Sequence, residues 1–228
     1  DPAAALAANL LMASASGDPA KSGMIMDKSG MDAGKSAEIT AIDLCAAPGG
    51  KTLQLCAAGL NVIAVDRSKP RLKRLEENLA RTGLSAEIIT ADAETWRPES
   101  PADLLLLDAP CSALGTLRRH PEGAWIKREG DIARFPDVQY RLLKAATEMV
   151  RPGGTILYCV CTPLRSEGAD VVDRAVAEGL VTRLPVSPEE APGFASCITG
   201  SGDVLTLPGE SAEHDAFFMS RLSPTALK

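Results

Sequence analysis

The sequence predicts an α/β fold of the doubly wound kind, with a mostly parallel sheet that an antiparallel hairpin closes at the C-terminal end. Short apolar runs of strand length alternate with helix-like segments over most of the chain, and short strands cluster near its end. A loop of small residues at 45–50 joins an apolar run to a helix-like segment, as in nucleotide-type sites at the edge of such sheets. The 228 residues suffice for one such domain.

The first 38 residues differ from the rest. Residues 2–12 are rich in Ala and Leu and predict a helix, whereas residues 13–38 lose all apolar periodicity and predict a flexible polar insertion. The chain also begins without Met, in what resembles the middle of a helix. We therefore expect an N-terminal segment at 1–38, a main domain at 39–228, and a chain that is a fragment of a longer protein.

Apolar periodicity and helix signals assign the elements of the main domain in order. Strands are predicted at 39–44, 61–65, 86–90, 104–107, 155–160, 181–184, 203–207 and 216–221. Helices are predicted at 53–58, 68–83, 137–150 and 166–178, and Ser68, Pro70 and Gly83 mark the ends of the second. Residues 115–134 show little periodicity, and Trp125 is the expected anchor of that segment.

Composition argues against several classes of protein. A net charge of −6 disfavours sequence-blind binding of nucleic acid through a broadly basic surface. No apolar run approaches the ~20 residues of a membrane span, and no signal peptide is visible, so we expect no membrane partner. The six Cys form no C-x-x-C pair, which predicts no metal site and a reducing, cytoplasmic location.

Residues 43–52, Asp-Leu-Cys-Ala-Ala-Pro-Gly-Gly-Lys-Thr, form the first candidate site. Residues 45–52 nearly match the phosphate-binding pattern G-x-x-x-x-G-K-[ST], and the apolar run ending at Asp108 resembles its metal-binding strand. However, Cys45 replaces the first Gly, and Pro48 lacks an N–H that a phosphate cradle would use. S-adenosylmethionine (SAM) fits better because it carries no phosphate. The predicted contacts are Cys45, Ala46, Ala47, Pro48, Gly49, Gly50 and Lys51.

Carboxylates end the next two predicted strands. Asp66 and Asp92 should line the same edge of the sheet as the loop, because the carboxyl ends of parallel strands meet there. Asp66 suits the ribose hydroxyls of SAM, and Asp92 suits the adenine amino group. Asp43 is expected to orient the loop, and Arg71 is a weaker candidate whose position a solvated helix face would also explain.

Several motifs together resemble the Sun-type RNA cytosine-5 methyltransferase family, whose bacterial members act mainly on small-subunit ribosomal RNA. Besides the loop, they are Asp108-Ala-Pro-Cys-Ser112 and Val160-Cys161 after the Pro-Gly-Gly turn at 152–154. The resemblance covers residues 39–168, with a weaker echo at 215–222. It implies the Rossmann-like fold of class I SAM-dependent methyltransferases, SAM as cofactor, an RNA substrate, and an RNA-binding domain upstream of this chain.

Cytosine C5 is a poor nucleophile, so its methylation needs a thiolate that adds to C6, a group that holds the N3/N4 edge, and a proton acceptor. The resemblance implies that Cys161 attacks, that Cys111 assists release of product, and that Asp108 lies between SAM and the base. In DNA cytosine-5 methyltransferases the Pro-Cys cysteine attacks instead. Lys51 either contacts the base and lowers the thiolate pKa or supports the loop. Val160 and Cys159 replace the family's usual Thr and Ser.

Three questions stay open from the sequence. The basic residues that follow the Pro-Cys motif suit either phosphate contacts or a solvated loop; they are Arg118, Arg119, Lys127, Arg128 and Arg134, with His120 among them. Transfer RNA is an alternative to ribosomal RNA as substrate. A P-loop nucleotide hydrolase and a ribosome assembly factor that binds SAM and RNA without catalysis are the alternative functions. We expect a monomer.

Overall fold

The computed structural model describes residues 1–14, 39–209 and 214–225. Helix α1 (Pro2–Ala13) confirms the predicted N-terminal helix, and Asp1 caps it by accepting the backbone N–H groups of Ala3 and Ala4. The predicted insertion at 13–38 lies, beyond its first two positions, outside the described residues. The division into segments 1–38 and 39–228 stays a prediction.

In the described part of the chain, eight strands form one sheet. The strands are β1 (Thr40–Leu44), β2 (Asn61–Asp66), β3 (Glu87–Thr90), β4 (Ala102–Asp108), β5 (Val150–Val160), β6 (Val181–Arg183), β7 (Val204–Thr206) and β8 (Phe217–Pro224). Their order in the sheet is β3-β2-β1-β4-β5-β8-β6, and β7 also pairs with β8. Strands β1 to β5 run parallel, and β8 is antiparallel to β5, β6 and β7. This architecture confirms the predicted fold class.

Helices cover both faces of the sheet. Besides α1, they are α2 (Gly50–Ala57), α3 (Lys69–Thr82), α6 (Phe135–Thr147) and α7 (Ala169–Ala177). Two short helices, α4 (Gly123–Ile126) and α5 (Glu129–Ile132), bury almost none of their residues. Leu104 and Leu106 of β4 pack into the core shared with α1, α2 and α3, whereas Leu105 and Leu107 pack into the core shared with α6 and α7. Burial of each such leucine contributes about 1.5–3 kcal/mol, which explains why the strand is a continuous apolar run.

The structure corrects four details of the sequence analysis. The helix predicted to reach Val150 ends at Thr147, and Val150 opens β5, because the turn at 152–154 enters that strand where its register with β4 shifts. The helix predicted from residue 166 starts only at Ala169 as α7, after a 3₁₀ turn, because the backbone of Gly168 is not helical (φ −109°, ψ −97°). Residues 115–134 contain α4 and α5. Trp125 is 91% exposed, so its predicted anchoring role is wrong.

No helix of the described residues is both long and apolar enough to cross a membrane.

Candidate functional site

A cleft of about 560 Å³ opens along the carboxyl edge of the parallel strands, where doubly wound sheets bind their ligands. Its volume lies within the usual range of small-molecule sites. Residues at the ends of five successive strands of the sheet line it: Cys45, Asp66, Asp92, Asp108 and Cys161. The predicted meeting of the strand-end carboxylates at one edge is therefore confirmed.

The loop after β1 approaches the cleft through its first residue. Cys45 adopts a left-handed conformation (φ 62°) and lines the cleft, and burial raises the pKa of its thiol to about 12. Gly49 has φ 103°, and a side chain there would come 2.8 Å from Leu75, so the turn into α2 requires glycine. Ala46, Ala47, Pro48, Gly49, Gly50 and Lys51 do not line the cleft. Their direct contact with a cofactor stays a prediction.

Asp66 is buried at the end of β2 and is held in a fixed orientation. Its Oδ1 accepts the N–H of Ser68 at 2.8 Å, and its Oδ2 accepts the N–H of Ala47 at 3.1 Å. The Arg71 guanidinium lies 3.5 Å from the same carboxylate and also donates to the carbonyl of Ala47. Arg71 therefore fastens the loop to β2, a role that a solvated helix face would not provide. Oδ1, which has a single hydrogen bond, retains a lone pair for a ligand.

Asp43 ties β1 to α2 away from the cleft lining. The Thr52 hydroxyl donates to its Oδ2 at 2.6 Å, and its Oδ1 is buried without a hydrogen-bond partner. Burial raises the pKa of Asp43 to about 7, although the Thr52 hydrogen bond opposes that rise. The position fits the prediction that Asp43 orients the loop.

Lys51 and Asp108 form an ion pair of 2.7 Å beside the cleft. Burial alone would lower the pKa of Lys51, but the Asp108 carboxylate outweighs it and the pKa is raised. The ammonium also lies 5.6 Å from the centre of the Phe217 ring, within cation–π range. The other Asp108 oxygen accepts a hydrogen bond from the Cys159 thiol at 3.4 Å. Lys51 therefore affects the cleft by orienting the carboxylate of Asp108, which lines it.

The two predicted cysteines meet at the cleft, with their sulfur atoms 3.3 Å apart. The pKa of Cys161 is lowered, first by a hydrogen bond from the Cys111 thiol and also by the Lys51 charge, while burial opposes the shift. The same hydrogen bond, together with burial, raises the pKa of Cys111. Cys161 is therefore the thiol that ionises first, and Cys111 is the donor that stabilises its thiolate.

Residues 33–223 match the family described as 16S rRNA methyltransferase RsmB/F. The chain belongs to this family. This confirms the resemblance drawn from the sequence motifs and identifies SAM as the cofactor of the fold. It also excludes the alternative of a P-loop nucleotide hydrolase.

Relatives and solved structures agree with this assignment. Ribosomal RNA small subunit methyltransferase B of Cronobacter sakazakii is 37% identical over 188 residues, which are 80% of this chain and 42% of that protein. The Sodalis glossinidius protein of the same name is 42% identical over 61% of this chain and 33% of its own length. The chain thus covers about two fifths or less of the length of these relatives.

Two solved structures are similar over 81% of this chain. PH0851 has a TM-score of 0.71 and 30% identity, with 42% of its own chain covered. NSun6 from Pyrococcus horikoshii, solved with SFG, a SAM analogue, has a TM-score of 0.67 and 28% identity, with 47% of its chain covered.

A network that the sequence analysis missed holds the Cys111 loop of this RsmB/F-family chain. Glu167 is fully buried, and its Oε2 accepts the N–H of Ser112 at 2.8 Å and the Gln139 amide at 3.0 Å. The same Gln139 nitrogen donates to the carbonyl of Pro110 at 3.0 Å. The backbone on both sides of Cys111 is therefore fixed. Glu167 and Gln139 lie within or beside predicted helices, where their polarity resembled that of ordinary surface residues.

Further contacts join the segments that carry the two cysteines. The hydroxyls of Ser112 and Thr162, each next to one of the cysteines, lie 3.0 Å apart. The N–H of Gly115 donates to the carbonyl of Cys161 at 3.0 Å, and a side chain at 115 would come 2.9 Å from that oxygen and 2.1 Å from the carbonyl of Ala216. Glycine at 115 is therefore what allows the Cys111 loop to approach β5.

The predicted basic region divides into residues with internal partners and residues at the cleft. Arg119 donates to Asp215 at 2.8 Å, and Arg118 lies 3.6 Å from the same carboxylate. The Lys127 ammonium donates to the carbonyl of Ser112. Arg134 lines the cleft. Arg118, Arg119 and Lys127 therefore brace the Cys111 loop, and Arg134 is the cation of the region best placed to contact a ligand.

Proposed function

We propose that this chain carries the catalytic domain of an RNA cytosine-5 methyltransferase that modifies small-subunit ribosomal RNA through a covalent adduct between cysteine and C6. The observation that supports this most directly is the pair of sulfur atoms 3.3 Å apart at the cleft, of which Cys161 has the lowered pKa. The names of the family and of its relatives support ribosomal RNA as the substrate class.

The residues of the cleft fit SAM as cofactor. Asp66 and Asp92 offer carboxylate oxygens where ribose hydroxyls and an adenine amino group need acceptors, and Glu94 and Asp108 also line the cleft. Acidic side chains would repel a polyphosphate, but they suit a ligand with a positively charged sulfonium group. Cys45 and the loop that follows it would form the wall of the cleft next to the amino acid part of SAM. Bound SAM supplies the methyl group that C5 receives.

The chain's own residues would carry the remaining steps. The Cys161 thiolate adds to C6, which makes C5 electron-rich. Asp108, paired with Lys51, would accept a hydrogen bond from the N4 amino group on the N3/N4 edge of the cytosine and hold the ring during addition. After C5 has gained the methyl group, transfer of its proton to a water molecule that enters the cleft re-forms the C5–C6 double bond, and the C6–S bond breaks to release the Cys161 thiolate. A hydrogen bond from Cys111 would stabilise that leaving thiolate.

Incubation of the chain with small-subunit ribosomal RNA and SAM carrying a labelled methyl group tests this function. We expect 5-methylcytidine among the digested nucleosides, and bisulfite sequencing should place it at one position. Transfer RNA serves as the competing substrate in a parallel reaction. Binding of SAM and RNA without any methyl transfer would contradict the proposal and favour a non-catalytic assembly factor.

Replacement of Asp66 by alanine should weaken SAM binding by about 1–3 kcal/mol, since a hydrogen bond to a charged group is lost. Isothermal titration calorimetry measures this, and thermal unfolding shows whether the loop held by Asp66 is intact. Asp131→Ala is the matched control because Asp131 also lines the cleft but does not follow a strand. Equal affinities of the Asp66 variant and the unmodified chain, or tight magnesium-dependent ATP binding, would contradict the assignment.

A further inference from the structure

Two large apolar side chains next to each other are exposed in α4. Trp125 is 91% exposed and Ile126 is 69% exposed. The other tryptophan of the chain, Trp96, packs against the core. An exposed tryptophan leaves a large apolar surface in water, which is unfavourable unless a ligand covers it.

The structure fastens α4 to the catalytic cysteines. Lys127, immediately after α4, donates through its ammonium to the carbonyl of Ser112, the neighbour of Cys111. At Gly123, the first residue of α4, a side chain would come 2.9 Å from Leu117. Trp125 is therefore presented on a short helix that is held against the Cys111 loop, so its position relative to the cleft is fixed.

The charge around Trp125 favours an anionic ligand. We call residues 117–134 the rim segment, since Asp131 and Arg134 within it line the cleft. Arg118 and Arg119 of this segment pair with Asp215, whereas Arg134 lines the cleft. Lys127 and Arg128 lie within three positions of Trp125 along the chain. Cations beside an exposed aromatic ring are the combination by which proteins bind single-stranded nucleic acid.

We propose that Trp125 is a stacking platform for an unpaired nucleotide of the RNA substrate, next to the cytosine that enters the cleft. The inference rests on the proposed function and extends it with an RNA contact. A cytosine that reacts at C5 and C6 must leave its base stack, so its neighbours are exposed and need a new partner. Aromatic rings provide that partner in single-stranded RNA recognition.

Comparison of Trp125→Ala with Trp125→Phe tests the stacking. Fluorescence anisotropy with a short single-stranded cytosine-containing RNA gives Kd without any need for methyl transfer. We expect Trp125→Ala to raise Kd roughly tenfold and Trp125→Phe to remain within about threefold, because a phenyl ring also stacks. Ile126→Ala and Leu207→Ala are controls for loss of exposed apolar surface, and both should bind like the unmodified chain. SAM affinity should be unchanged in all four variants.

Two outcomes would overturn the inference. Equal RNA affinity of Trp125→Ala and the unmodified chain would exclude stacking. A Trp125→Ala chain that binds RNA normally but sediments as a smaller species would identify the surface as a self-association face. Failure of methyl transfer by the unmodified chain would count against the proposed function alone, since the binding comparison remains measurable.

Discussion

Replacement of Cys161 by alanine is expected to abolish methyl transfer and covalent capture of RNA together. Loss of a covalent nucleophile lowers a rate by roughly 10⁶-fold, so no turnover should be detectable. Neither of the other cleft cysteines can substitute. Burial raises the pKa of Cys45 to about 12. The variant removes the hydrogen bond to Cys161, which is the largest cause of the raised pKa of Cys111, but burial still raises it. Both residues are therefore held as thiols more strongly than a free cysteine, and a thiol is a poor nucleophile for C6.

Methyl transfer and protein–RNA adducts on denaturing gels measure this effect, and calorimetry should show unchanged SAM binding. Cys197→Ala is the control for removal of a partly exposed thiol, since Cys197 does not line the cleft. Its methyl transfer should match that of the unmodified chain. Persistent adduct in Cys161→Ala, with loss of adduct in Cys111→Ala, would reverse the assignment and place the nucleophile where DNA cytosine-5 methyltransferases have it.

Much of the fold could be predicted because buried parallel strands are continuous apolar runs bounded by polar turns. Residues 61–65 and 104–107 differ from β2 and β4 by at most two residues at either end. The short helices α4 and α5 could not be predicted, since four residues are too few to establish a period. The predicted anchoring role of Trp125 was wrong for a related reason. Aromatic residues are usually buried, but nothing in the local sequence shows which residues a loop packs against.

The same physical reason separates the parts of the candidate site that the sequence predicts from the parts that it does not. Asp66, Asp92, Asp108 and Cys161 could be placed together because strand ends of a parallel sheet share one edge. The contacts that hold the Cys111 loop could not be predicted. They join Ser112 and Gln139 to Glu167, and Glu167 lies 55 positions from Ser112 along the chain.

The basic region shows the same limit. From its sequence position, Arg119 suits either a phosphate contact or a solvated loop, but in the structure it pairs with Asp215, 96 residues away along the chain. Sequence spacing thus predicts which backbone positions meet, but not which side chains pair.

Replacement of Cys111 by alanine should have the opposite result to loss of Cys161: a protein–RNA adduct should accumulate. Cys161 can still attack C6, but its departure as a thiolate loses the hydrogen bond that Cys111 donates across 3.3 Å. Loss of that donor also raises the pKa of Cys161, since the bond is the largest cause of its lowered value. A thiolate exists above its pKa, so the pH at which the adduct forms should shift upward.

Denaturing gels measured over a series of pH values test both parts of this expectation. The adduct of Cys111→Ala should survive denaturation, disappear after RNase treatment, and reach half its maximal rate of formation at higher pH than in the unmodified chain. The double variant Cys111→Ala with Cys161→Ala is the matched control and should form none, because no low-pKa thiol remains in the cleft. An adduct that releases methylated RNA as fast in Cys111→Ala as in the unmodified chain would show that Cys111 does not stabilise the leaving thiolate. Rapid release with an upward pH shift would then limit the role of Cys111 to activation of Cys161 for attack.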